Sequence, residues 1–92
     1  LIPPELANDP ATVASAAAMD KMMADMMVPY TGDPDIDFAQ GMIPHHQAAI
    51  DMAKIQLEFG KDPEMRKLAE AIIAAQESEI ATLKAFLATK GM

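Results

Sequence analysis

The sequence predicts an all-α protein, three helices packed as an antiparallel bundle. Three observations lead there. Ala, Met, Leu, Lys, Glu and Gln, all good helix formers, recur along the chain, and few segments favour strands. Apolar residues make up 51% of the 92 residues and aromatics only 4%, so small and flexible side chains must fill the core. Pro and Gly gather at a few places and divide the chain into three long stretches.

Residues 1–9 read as an irregular lead-in to a single domain spanning 1–92, punctuated by Pro3, Pro4 and Pro10. Asn8 or Asp9 before Pro10 resembles a helix start, and the first helix is expected over about 10–27. Its Met19, Met22, Met23 and Met26 fall on one side, and Asp20, Lys21 and Asp25 on the other. Val28-Pro29 ends it, because a residue before proline avoids the helical region.

Residues 29–36 form a turn-rich connection. Asp35 or Asp37 caps a second helix expected over about 36–59. Pro44 lies inside it, removes an amide and crowds the preceding turn beside Gly41, so a kink is expected there. Gly60 suits a left-handed C-cap. Asp62-Pro63-Glu64 opens a third helix, expected over about 63–90. Met65, Ala69, Ile72, Gln76, Ile80, Leu83 and Leu87 make its stripe, and Lys90-Gly91 closes it. Short connections make the second and third helices antiparallel neighbours. The first is too short to cover the third, so apolar surface is left over, which a homodimer would cover.

The net charge of −7 argues against nucleic acid and anionic membranes and favours small cations. No run of 18 apolar residues exists, so no membrane span is expected. No signal peptide is visible, and the opening Leu1 predicts a processed or trimmed chain. With no Cys there is no disulfide framework or thiolate site.

Chemistry concentrates in residues 38–53, which hold both histidines of the chain, His45 and His46, with Met42 before them and Met52 after. With His45 at zero on a helical wheel, Met42 falls near about 60°, His46 near 100° and Met52 near 340°. Gln47, Asp51, Lys54 and Glu58 sit at roughly 180–240°. Both histidines are therefore expected to face inward with Met42, and Ala49 leaves room above the rings.

Imidazole and thioether without thiolate suit Cu(I), or Ag(I) by analogy. The His-x-x-x-His of many zinc sites, the Glu-x-x-His of di-iron bundles and the Cys-x-x-Cys-His of attached haem are all absent. Met19, Met22, Met23 and Met26 are the expected complement from the first helix, and Gln76 or Glu79 can hydrogen-bond a histidine ring and fix its tautomer.

A bland reading stands beside this one. A methionine stripe on a small bundle is ordinary core, and Met and Ala also make a pliant surface for a partner helix or a second copy. Asp33, Asp35 and Asp37 near Gly32 read as turn and cap residues, since a calcium loop would lack its Glu at the twelfth position. No nucleophile stands beside a base, so an enzyme is not expected.

The run Asp37-Phe38, Gly41-Met42-Ile43-Pro44-His45-His46-Gln47, Ala49-Ile50 and Met52-Ala53 resembles the signature of the CopM-like copper-binding family. The likeness continues through Gly60, Leu68-Ala69, Ile72, Gln76 and Glu79-Ile80, roughly residues 19–87. The resemblance implies a ferritin-like bundle and export to the periplasm or cell surface. It also implies copper or silver binding in metal resistance. A chain that passes Cu(I) on would need a copper-handling partner protein. It carries Met42, His45, His46 and Met52 over as ligands, with the first-helix methionines as complement. Where many relatives have Met and Trp in the last helix, this chain has Leu83 and Phe86.

Overall fold

The computed structural model describes residues 2–92; Leu1 of the expected lead-in lies outside them. Three α-helices follow a short 3-10 turn at Pro4–Leu6: α1 (Pro10–Asp25), α2 (Pro34–Phe59) and α3 (Pro63–Thr89). No strand occurs among the described residues.

One device opens all three helices. Asp9, Asp33 and Asp62 each occupy the N-cap, and each is followed by proline. The carboxylates accept from Thr12 N–H at 3.0 Å, Asp35 N–H at 2.9 Å and Met65 N–H at 3.0 Å. Proline costs nothing at the first helical position, where its missing N–H would have no partner anyway. The expected start at residue 36 is therefore corrected to Pro34, with Asp33 as the cap in place of Asp35 or Asp37. Asp37 instead folds back on the connection, accepting from the Thr31 N–H at 2.8 Å and hydroxyl at 2.9 Å and from the Gly32 N–H at 3.3 Å.

The ends also differ in detail. α1 stops at Asp25, two residues before its expected end, as the chain turns toward Pro29. Gly60 is not left-handed: its φ is −77°. Its role is close approach, since a Cβ there would collide with the side chain and carbonyl of Gln56. Gly91 does take a left-handed φ of 74°, and Met92 N–H closes onto the Leu87 carbonyl at 3.0 Å. α2 runs unbroken through Gly41 and Pro44.

α2 is the middle element, with α3 packed along one flank and α1 along the other. Phe38 and Ala39 border a cleft with Leu83 and Phe86, His46 meets Glu79, and Ala53 and Ala69 line a second cleft. These pairings rise along one helix and fall along the other, consistent with antiparallel neighbours. The buried apolar residues include Ala18, Ala39, Ala48, Ile50, Ala53, Ala69 and Ile80. Small residues at these seams let backbones approach closely, but no large side chain among the described residues is fully buried. The result is a thin slab, with principal extents of 45 × 29 × 15 Å.

A slab leaves α2 with two open faces. Gln47, Asp51, Lys54 and Glu58 share one of them by helical periodicity. Lys21 of α1 belongs to that side. Its hydrogen bond to Asp25 raises its pKa first, with the charge of Asp51 adding to the effect. The opposite face carries Phe38, His45, Ala49, Met52 and Gln56. Among the described residues no helix is long and apolar enough to cross a membrane.

Arg66, at the start of α3, donates to the carbonyls of Leu57 at 2.6 Å and Gly60 at 3.0 Å. A cation thus meets the negative end of α2 and satisfies carbonyls that the helix cannot bond itself. Arg66→Ala is expected to cost about 1–3 kcal/mol in urea unfolding, and an unchanged midpoint would refute this role.

The Thr31 backbone N–H, with the Thr31 hydroxyl and Gly32 N–H, holds the Asp37 carboxyl below its ordinary 3.8, against a smaller opposing effect of desolvation. The Thr12 hydroxyl and N–H do the same for Asp9. A depressed folded-state pKa stabilises the fold above the unfolded value, and the gain is lost as pH falls through the folded one. Melting temperature should therefore drop as pH falls below 3.8, and Asp37→Asn should flatten that drop; an equally steep acid limb in the variant would show that Asp37 contributes nothing to it.

Candidate functional site

The cleft between α2 and the C-terminal half of α3 brings together the polar chemistry of the chain. Its volume is about 230 Å³, and Phe38, Met42, His46, Glu79, Thr82 and Leu83 line it. Met42 and His46 lie four residues apart on α2, so both project to one side of the helix. Glu79 comes from α3, where the antiparallel register sets it opposite His46.

His46 is buried, at 6% exposure, and both ring nitrogens are engaged. Nδ1 lies 2.9 Å from the carbonyl oxygen of Met42. A carbonyl only accepts, so Nδ1 carries hydrogen and donates. Nε2 lies 2.6 Å from Glu79 Oε1. The short contact ties the His46 ring to the Glu79 carboxylate and so joins α2 to α3. Nε2 is thus engaged by α3, and a metal could reach it only by displacing Glu79.

The expected inward orientation holds for His46 and fails for His45, which is exposed. The two residues differ by about 100° around the helix, and the seam with α3 is wide enough for only one of them. His45 stands on the open face between Met42 and Met52, with Met52 53% exposed. The first-helix methionines depart further from expectation. Met19, Met23 and Met26 are 42%, 63% and 41% exposed, and only Met22 is half-buried. α1 packs on the flank of α2 away from the His46 cleft, so its methionines do not line that cleft. Gln76 does not reach a histidine: its Oε1 is buried without a hydrogen-bond partner. Glu79 makes the ring contact instead.

Among the described residues no three His, Cys, Asp or Glu side chains gather as a metal-holding group. The donors that do gather are thioether and imidazole on α2, with one carboxylate on α3.

A family profile described as a domain of unknown function, DUF305, matches residues 35–92. The chain belongs to the DUF305 family. The chain is also similar to "Uncharacterized protein L153" of Acanthamoeba polyphaga mimivirus, 42% identical over 53 residues. That stretch is 58% of this chain and 35% of the viral protein, so the chain spans about a third of this relative. The DUF305 match takes in nearly all of α2 and the whole of α3, with Met42, His45, His46, Met52, Gln76 and Glu79. α1 with Met19, Met22 and Met23, and Met26 at its C-cap, lie before it.

The pairing of His46 is directly measurable. Nitrogen-detected NMR of the imidazole should show Nδ1 protonated, and Glu79→Ala should cost about 1 kcal/mol while Glu79→Gln costs less. A ring with Nδ1 unprotonated would contradict the hydrogen bond to Met42.

Proposed function

We propose that this DUF305 chain binds Cu(I) as cargo, for sequestration or delivery, through thioether and imidazole donors presented by α2. The observation that carries the reading is the open face of α2, where His45 stands exposed between Met42 and Met52 with no thiolate or carboxylate cluster beside it. That donor set fits a soft monovalent ion, Cu(I) or Ag(I), and suits Zn²⁺ or Ca²⁺ poorly.

Within this reading the two histidines divide the work. His45 is the primary imidazole because no other element claims its ring. His46 is a positioning residue that ties α2 to α3 and so fixes the α2 face bearing Met42. Met19, Met22 and Met23 of α1 and Met26 at its C-cap supply further thioethers, as a loose complement and not as an enclosed ligand set. Glu79 orients His46, while Gln76 keeps a free acceptor within the same helix pair. The likeness to CopM-like proteins supports the same picture. In it the chain is a ferritin-like unit with α2 bent at Pro44, exported to the periplasm or cell surface, and it hands copper to a partner protein. It has no catalytic role.

A second reading treats the chain as an interaction module whose Met- and Ala-rich face engages another helix, with the histidines incidental. The exposure of that face favours it, and the two readings part on metal affinity.

Titration of the metal-free chain with Cu(I) against a competing chelator tests the proposal. His45→Ala is expected to weaken binding at least about tenfold, a loss near 1.4 kcal/mol, with little change in stability. His46→Ala is expected to weaken binding less and destabilise the fold more. Binding by the His45→Ala/His46→Ala protein equal to wild type would sink the idea.

A further inference from the structure

The apolar trough between α2 and α3 has too much open surface for a chain that works alone. Three clefts succeed one another along it, of about 340, 230 and 260 Å³. Phe38 and Met52 on α2 are 62% and 53% exposed, and Met65 and Leu68 on α3 are 47% and 50% exposed. The accessible surface is 6417 Å². A folded monomer of 9.9 kDa should expose about 5,200 Å². The surplus over the whole chain is about 1,200 Å², of which the trough supplies one part and the Met27–Tyr30 connection another; the roughly 800 Å² that each partner buries in a stable interface of standard size lies within it. The radius of gyration agrees: 15.4 Å, against about 12 Å expected for a compact chain of this length.

We propose that a second copy of the chain covers this trough, so that α2 and α3 of each copy complete a four-helix bundle. The trough suits a copy of itself in three respects. It is a layer of two helices with an open apolar side, and two such layers face to face make the simplest closed helical core. Ala49 lies midway along it, where a small residue allows a facing backbone to come close. The charge also permits it. Although the chain carries −7 overall, the acids bordering the three clefts are only Asp35, at one end, and Glu79, which is bound to His46. Asp51 and Glu58 point to the opposite face, away from the contact. A two-fold axis then sets the same patch against itself, and His45, beside Ala49, comes to the edge or centre of the joint surface.

This inference does not rest on metal binding and is tested on metal-free protein. Sedimentation equilibrium of the 92-residue chain at concentrations up to about 0.1 mM should give twice the 9.9 kDa chain mass. Leu68→Glu and Met52→Glu each place a charge on the trough at a half-exposed position. Each should raise the dimer dissociation constant about a hundredfold with helical circular dichroism unchanged. If one variant loses helicity, the other decides. Lys54→Glu, on the polar face, should leave the mass at the dimer value. A wild-type chain that stays monomeric over this range overturns the proposal, whatever other partner the trough then takes. So does a dimer that both trough variants leave intact.

Discussion

Close packing through alanine is the constraint on which the rest of the structure depends. Ala39, Ala48 and Ala53 of α2 are buried, as are Ala18 of α1 and Ala69 of α3. Such seams bring helices together with few large side chains between them, so the core they enclose is shallow. Polar ties at the two ends of the α2–α3 pair then matter more than they would in a deeper core. Arg66 holds the C-terminal end of α2, and the His46–Glu79 pair holds its N-terminal half. Those ties fix which face of α2 is closed by α3 and which stays open.

The same thinness gives the two histidines different chemistries. One turn of helix cannot bury both rings in a single seam. His46 enters the seam and spends Nδ1 on its own helix and Nε2 on Glu79. His45 is left exposed on the open face of α2. Adjacent residues thus become a buried imidazole held between two helices and an exposed one.

Much of the fold was legible in the sequence because its signals are local. Asp62-Pro63 marks a helix start from two residues alone, and the apolar spacing of α3 follows from helical periodicity. Asp33-Pro34 carries the same local signal and was outweighed by the proline- and glycine-rich company it keeps. The start of α2 accordingly fell two residues late. Gly60 shows the converse: a glycine after a helix points to a left-handed turn, yet here its missing Cβ makes room for Gln56. Arg66 gave no signal at all, since its partners are backbone carbonyls of another helix.

The sequence by itself determined three helices, the N-cap of α3, and the presence of Met42, His45, His46 and Met52 on one stretch of α2, because propensity, capping and periodicity act within a few residues. Only the tertiary structure decided which histidine is buried, that Glu79 and not Gln76 reaches it, and that the α1 methionines stand largely exposed on the other flank of α2. Those outcomes depend on the rotation of each helix about its axis and on which neighbour occupies each flank. Periodicity limits both, but packing between residues tens of positions apart selects them.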